Sequence, residues 1–188
     1  MCASPFVSLA KKYLSGSNVK VATVIGFPFG YSTATAKQAE TDQAITDGAD
    51  ELDVVINLVA LKAGNTGLLE AEIKGILAAA HRHDRLVKVI IESGILLTEE
   101  IIQCCHLYAA AGVDFVKTST GYAEKGASVE AVQLMRKHLP STIQVKASGG
   151  IRTYTFAREL VDAGATRLGC SASVAIVTGE KENSTGSY

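Results

Sequence analysis

Two kinds of segment alternate along the chain from residue 20 to residue 172. Short apolar stretches rich in β-branched residues begin 24 to 35 residues apart, and alanine-rich segments with helical spacing lie between them. This alternation predicts βα units and a parallel sheet, and the nearly continuous hydrophobic runs are typical of strands covered on both faces. The six predicted strands are KVATVIGFP (20–28), ELDVVIN (51–57), LVKVIIE (86–92), DFVKTST (114–120), IQVKAS (143–148) and RLGCSA (167–172).

The composition indicates a single globular domain over residues 1–188, with residues 179–188 as a flexible tail. The chain is 47% hydrophobic, and its 18 lysines and arginines are balanced by 19 aspartates and glutamates. No apolar run approaches the roughly 18 residues of a membrane span, and no aromatic residues interleave with a basic run. We therefore expect a cytoplasmic protein that binds neither membrane nor nucleic acid.

The cysteines and histidines do not indicate a metal site. Cys2, Cys104, Cys105 and Cys170 show no C-x-x-C spacing, and the four histidines lie in helix-like segments without a ligand cluster. We expect the cysteines to be small hydrophobic residues, and we expect neither a disulfide framework nor bound metal.

A short repeat aligns three of the units. In DGADELDV, AGVDFVK and AGATRLG a helix ends at a glycine, and a strand begins two or three residues later. If the units are equivalent, positions five residues beyond these glycines lie at one height in their strands. Those positions are Asp53, Lys117 and Gly169, so Asp53 and Lys117 are candidates for one shared site.

Polarity favours a closed (β/α)₈ TIM barrel over an open doubly wound sheet. Alternate residues of a barrel strand point inward, and several strands carry polar residues in one phase. An open nucleotide-binding sheet would normally carry G-x-G-x-x-G after its first strand, which is absent. Such barrels usually approach about 250 residues, so we expect the first βα unit to be missing, with MCAS ending a further strand. The predicted inward residues are Asp53, Asn57, Lys88, Glu92, Lys117, Ser119, Lys146 and Ser148.

Lys117 and Lys146 occupy consecutive predicted strands in similar settings, FVKTS and QVKAS. Either stem could simply pack while its ammonium group reaches water. In a barrel, however, the two would be neighbours, and neighbouring cations make each other easier to deprotonate. A neutral amine attacks a carbonyl to form an imine, which is an electron sink for carbon–carbon bond chemistry. Asp53 is the candidate proton shuttle.

Two glycine turns, SGGIRT (148–153) and GCSAS (169–173), follow the last two predicted strands and lead towards helices. Backbone amides in such turns favour phosphate, and the loops after the last strands of a barrel are its usual place. Glycine turns are common in any loop. Together with the lysine pair, they indicate a phosphorylated carbonyl substrate.

Six motifs in family order resemble those of the 2-deoxyribose-5-phosphate aldolases, which are class I aldolases with a (β/α)₈ barrel: TVIGFPFG, GADELDVVIN, LVKVIIE, DFVKTSTGY, VKASGGIRT and RLGCSA. The resemblance implies a lyase that reversibly cleaves 2-deoxy-D-ribose 5-phosphate to acetaldehyde and D-glyceraldehyde 3-phosphate, in deoxyribonucleotide catabolism, with no metal or cofactor. It also allows a homo-oligomer.

The resemblance implies specific roles for individual residues. Lys117 would form the Schiff base, Lys146 would make that amine easier to deprotonate, and Asp53 would relay protons. The final residue, Tyr188, would assist proton transfer. The residues expected to lie at or near the substrate phosphate are Thr120, Gly121, Gly149, Gly150, Gly169 and Ser171.

Two alternatives stay open at this point. The family normally opens with a strand in an LDHT-like motif, which this sequence lacks. The chain could therefore be a truncated, catalytically impaired homologue that binds sugar phosphates or assembles with a partner. A sugar-phosphate isomerase using Asp53 or Glu92 as its base would be a different enzyme on the same fold.

Overall fold

The computed structural model describes residues 1–179, and its centre is one six-stranded parallel sheet. The strands follow one another in sequence order, each hydrogen-bonded to the next. All six predicted strands are confirmed, each within its predicted segment. They are β1 (Ala22–Ile25), β2 (Glu51–Val55), β3 (Leu86–Ile90), β4 (Phe115–Lys117), β5 (Gln144–Ser148) and β6 (Arg167–Gly169).

Helices connect the strands, and most of them begin at a polar capping residue. The side chains of Thr33, Asn57, Asn65, Ser128 and Thr153 each accept a hydrogen bond from a backbone N–H in the first turn that follows. Within residues 1–179, no helix combines the length and the apolar character that crossing a membrane requires. The helices are α1 (Val7–Tyr13), α2 (Ala34–Thr46), α3 (Leu58–Lys62), α4 (Thr66–His81), α5 (Thr98–Ala111), α6 (Val129–His138), α7 (Tyr154–Asp162) and α8 (Ser173–Thr178), with 3₁₀ turns at Ser4–Phe6 and Ser93–Ile95.

The hydrophobic core lies between the convex face of the sheet and these helices. Leu52 and Val54 of β2 face it, together with Cys104 and Cys105 of α5. Burial raises the pKa of both thiols to about 12, so these two cysteines act as small apolar residues, as expected.

The sheet is strongly curled, so that side chains of distant strands meet on its concave face. Neighbouring strands lie about 4.8 Å apart, so β2 and β5 would be about 14 Å apart in a flat sheet. Instead, Lys146 of β5 donates a hydrogen bond of 2.7 Å to Asp53 of β2, and Arg167 of β6 reaches Glu51 of β2 at 2.6 Å. The sequential strand order and this curl are those of a barrel wall, whereas a doubly wound sheet reverses its order.

The side chains of Asp53 and Lys117 meet at 2.8 Å, although the two residues are not partners along the hydrogen-bond ladder. Lys117 pairs with Ile90 and Ile90 pairs with Val55, so the backbone ladder connects Lys117 to a residue two positions beyond Asp53. The same two-residue stagger separates Lys117 from Gly169, because the ladder from Lys117 leads to Arg167. The three predicted positions are thus offset from one another by one residue per strand along the ladder.

The predicted strand at MCAS is not formed. Residues 1–3 lie beside β1, where the Cys2 backbone N–H donates to the Ala22 carbonyl at 2.9 Å, but the segment makes too few ladder bonds to count as a strand. At the other end of the sheet, β6 is only half-buried along its length. Both edges of the sheet are therefore less covered than its middle.

Candidate active site

Three lysine side chains converge on one buried carboxylate inside the curled sheet. Asp53 on β2 is 0% exposed. Its Oδ2 accepts hydrogen bonds from Lys117 of β4 at 2.8 Å and from Lys146 of β5 at 2.7 Å, while its Oδ1 accepts one from Lys88 of β3 at 2.8 Å. Alternation along each strand turns these side chains inward, and the curl brings them together.

The surrounding ammonium groups decide the charge state of this cluster. Burial alone would raise the pKa of Asp53, but Lys117, Lys88 and Lys146 outweigh it and hold that pKa well below its usual range. Burial lowers the pKa of Lys146; the attraction of Asp53 opposes this, and repulsion from Lys117 and Lys88 adds to it, so that the pKa ends below the ordinary lysine value. The site thus keeps its carboxylate ionised and eases the loss of an ammonium proton.

A second layer of charge lies beside Asp53, towards the amino ends of the strands. The second oxygen of the Glu51 carboxylate, Oε2, lies 2.8 Å from Lys88, and Arg167 donates to both oxygens of Glu51 at 2.7 and 2.6 Å. The Arg167 guanidinium also lies 4.7 Å from the centre of the Phe115 ring. Four cationic side chains thus face two carboxylates, which leaves the interior with excess positive charge when all are ionised.

Hydroxyl side chains tie the carboxyl end of β4 to its neighbours. Thr118 Oγ1 donates to the Ser148 carbonyl at 3.1 Å and accepts from the Ser148 N–H at 3.0 Å. Thr120 Oγ1 donates to Glu92 at the end of β3, and the Ser148 hydroxyl donates to the Ser119 carbonyl at 2.6 Å. These bonds position the loop that follows Lys117.

The glycine turn after β5 packs against the β4–α6 loop. Gly149 and Gly150 have φ values of +88° and +75°, a region that favours glycine. The Gly149 carbonyl accepts from the Ala127 N–H at 3.0 Å, and a Cβ on Gly126 would meet that carbonyl oxygen at 2.3 Å. The two loops fit together only because position 126 carries no side chain.

The predicted site residues fall at two levels of one end of the sheet. Asp53, Lys117 and Lys146 form the buried cluster, whereas the expected phosphate residues lie at or beyond the carboxyl ends of β4, β5 and β6. Tyr188 lies outside the described residues, as does the predicted tail apart from Gly179. The expected phosphate residues are Thr120, Gly121, Gly149, Gly150, Gly169 and Ser171.

The part that Lys88 takes in the cluster was not predicted. Its position on the inward face was predicted from the sequence, but its contact with Asp53 was not. Asp53 and Lys88 were both predicted to point inward from neighbouring strands, and the ladder pairs them directly, so their contact could have been predicted. Glu51 and Arg167 were also missed, because their contact spans β2 to β6 and depends on the curl.

Comparisons with known proteins agree with this geometry. Residues 5–178 match the model of the DeoC/LacD family aldolases. A curated deoxyribose-phosphate aldolase from Streptococcus pneumoniae is 51% identical over 96% of this chain and 81% of its own length. A solved deoxyribose phosphate aldolase from Aeropyrum pernix, described as tetrameric, superposes with a TM-score of 0.86 at 31% identity over 94% of this chain and 74% of that one.

A second solved structure, of an aldolase called QR15, gives a TM-score of 0.89 at 38% identity, and the alignment covers 94% of this chain and 78% of that one. Both the sequence and the curled sheet thus correspond to those of aldolases, which are lyases. The chain belongs to the DeoC/LacD family of aldolases.

Proposed function

We propose that this aldolase reversibly cleaves 2-deoxy-D-ribose 5-phosphate to D-glyceraldehyde 3-phosphate and acetaldehyde through a Schiff base on Lys117. The observation that carries the proposal is the contact of Lys117 and Lys146 with the same oxygen of buried Asp53. Relatives at 51% identity are named for this substrate and favour it over a silent binding protein. An isomerase would not need two amines on one carboxylate.

The reaction begins at the aldehyde carbon of the open-chain sugar. A neutral Lys117 amine attacks this carbon, and loss of water leaves a protonated imine. Removal of the proton from the C3 hydroxyl then breaks the C2–C3 bond, whose electron pair passes into an enamine. Carbon 3 becomes the aldehyde of D-glyceraldehyde 3-phosphate. Protonation of C2 and addition of water release acetaldehyde and restore the amine.

Asp53 and Lys146 are placed to carry the protons of these steps. Lys117 and Lys146 both bind Oδ2 of Asp53, so their ammonium groups interact and titrate as a coupled pair rather than independently. The ionised Asp53 accepts hydrogen bonds from whichever amine stays protonated, and Lys146, with its lowered pKa, returns a proton readily. The assignment of the nucleophile to Lys117 rests on the motif DFVKTSTGY, since both amines are within reach of Asp53.

The substrate phosphate is expected at the carboxyl ends of β5 and β6. The backbone amides of Gly149 and Gly150 and the exposed Ser171 would bind it, with Thr120, Gly121 and Gly169 alongside. This arrangement leaves the aldehyde end of the substrate facing the lysines. Tyr188 would assist proton transfer, as the resemblance implies.

We also propose that the curled sheet is six-eighths of a (β/α)₈ barrel. The contact of Asp53 with Lys117 supports this, because the two residues are offset by one residue per strand, as in an eight-stranded barrel with a shear of eight. A homo-oligomer is proposed by likeness to the tetrameric relative, and a cytoplasmic location stays a prediction from composition.

Borohydride trapping tests the proposed function. Reduction in the presence of 2-deoxy-D-ribose 5-phosphate should add the mass of a reduced adduct to the peptide carrying Lys117. Lys117→Met should abolish both the adduct and turnover, whereas Lys62→Met, which removes a surface amine paired with Glu100, should leave both unchanged. An adduct only on Lys146 would reassign the nucleophile, and thermal stabilisation by substrate with no adduct would indicate a binding protein.

A further inference from the structure

Lys88 is a buried charge that the steps above do not use. It lies in the middle of β3 and is 0% exposed. Its ammonium group lies 2.8 Å from Asp53 Oδ1 and 2.8 Å from Glu51 Oε2. Burying a lysine is costly unless its charge is paired, and here two carboxylates pair with Lys88.

The hydrogen bond from Lys88 gives the two oxygens of Asp53 different partners: Oδ1 binds Lys88, and Oδ2 binds Lys117 and Lys146. The terminal torsion of an aspartate is broad, so a carboxylate held by Lys117 and Lys146 alone could turn and offer either oxygen. With Oδ1 occupied by Lys88, Oδ2 faces both amines at 2.8 and 2.7 Å. The orientation of the oxygen that Lys117 and Lys146 share is thus determined by Lys88, which binds the other oxygen.

Lys88 also contributes to the charge of the interior. The other charged groups facing it come from every other strand except β1: Glu51 and Asp53 of β2, Lys117 of β4, Lys146 of β5 and Arg167 of β6. Removing Lys88 lowers the local excess of positive charge, and repulsion from Lys88 adds to burial in lowering the pKa of Lys146. Removing Glu51 would raise the same excess.

We propose that Lys88 is a positioning residue of the aldol reaction: it holds Asp53 so that Oδ2 serves Lys117 and Lys146 together, and its charge sets the pH at which this amine pair releases a proton. The inference rests on the proposed function. It assigns to Lys88 no contact with the substrate.

The test compares two buried lysines on opposite faces of the sheet. Lys37 on α2 is also 0% exposed, and its ammonium group donates to Glu72 and to the Val55 carbonyl, both at 2.7 Å, on the outer side of the sheet. Lys88→Met and Lys37→Met each remove the ammonium partner of a buried carboxylate. Only Lys88→Met takes one from Asp53.

Lys88→Met should lower kcat by about 10- to 100-fold, with little change in KM, because the geometry of proton transfer is lost while substrate contacts stay. The acid limb of its kcat/KM profile should move to higher pH, since one cation fewer repels the ammonium protons. Lys37→Met should leave the pH profile in place. An unshifted profile for Lys88→Met, or an equal shift for Lys37→Met, would overturn the proposal.

Glu51→Gln keeps the test decisive if Lys88→Met does not fold. It removes an anion but leaves Lys88 in place, so the acid limb should move to lower pH. A shift to higher pH would contradict the charge role of Lys88. The wild-type borohydride adduct separates the two hypotheses: its absence means that the proposed function fails, whereas an adduct with unmoved variant profiles means that only the role of Lys88 fails.

Discussion

At the scale of single residues, Asp53 is the centre of the site, because three ammonium groups share its two oxygens. A buried carboxylate is stable only when it is paired, and here the pairing is mutual: without Asp53, Lys117 and Lys146 would face each other with no anion between them. One acidic residue therefore determines both the local stability and the availability of a neutral amine.

Asp53→Asn should abolish turnover and lower the free energy of unfolding by about 3 to 5 kcal/mol at pH 7, as expected when one partner of a buried ion pair is removed. Urea titration followed by circular dichroism measures this. Asp162→Asn is the control, because Asp162 makes an exposed pair with Arg158 at 3.4 Å, worth about 0.5 kcal/mol or less.

The difference in the free energy of unfolding between wild type and Asp53→Asn should become smaller as the pH falls. The folded pKa of Asp53 is lowered, so its contribution is complete above the unfolded value of about 3.9 and declines as pH falls below it. Unfolding curves at pH 7 and pH 3 measure this, and a gap as large at pH 3 as at pH 7 would contradict the pairing described above.

At the scale of elements, the loops after β4 and β5 act together because of close backbone contact. Hydrogen bonds of Thr118 and Ser148 join the two strand ends, and Gly126 then packs on Gly149. The residues proposed for phosphate binding are therefore positioned by the loop that begins immediately after Lys117. The strand that carries Lys117 is therefore connected to the proposed phosphate-binding glycines by hydrogen bonds and backbone packing.

Gly126→Ala should disturb this contact, since the new Cβ would meet the Gly149 carbonyl oxygen at 2.3 Å. We expect a loss of about 1 to 3 kcal/mol in the free energy of unfolding and a raised KM for the phosphorylated substrate. Gly67→Ala, in the exposed first turn of α4 with only Asn65 Oδ1 at 4.0 Å, should be neutral or stabilising. Equal effects of the two substitutions would show that the loops are not tightly packed.

At the scale of the whole molecule, the sheet is well covered in its middle and poorly covered at its ends. Every residue of β2 is buried, whereas all three residues of β6 are only half-buried. Val174 and Val177 of α8, next to β6, are 69% and 82% exposed. Arg167, whose side chain is 38% exposed, connects β6 to Glu51 of β2 at 2.6 Å.

Hydrogen exchange should follow this gradient. Backbone amides of β2 and β3 should exchange most slowly, and those of β6 should exchange faster, because local opening costs least where few apolar contacts are lost. Mass spectrometry of peptides from deuterated protein measures both regions in one experiment. Protection of residues 167–169 equal to that of residues 51–55 would contradict the gradient and indicate that this edge is covered in solution.

Much of the fold follows from local patterns. The six strands could be predicted because their apolar runs are short and are bounded by helical segments with polar caps. The shared height of Asp53 and Lys117 could be predicted because equivalent βα units place equivalent residues at one level. The absence of a strand at MCAS could not be predicted, because pairing at a sheet edge depends on what lies beside it rather than on its own residues.

The amino-acid sequence by itself determined the strands, their inward faces and the family, because these depend on periodicity and on motifs that are contiguous in the chain. Only the tertiary structure decided which oxygen of Asp53 each lysine binds, that Lys88 shares this carboxylate, and that Arg167 reaches Glu51. Those contacts join residues 35 to 116 positions apart, and they exist because the sheet curls and its strands are staggered by one residue each.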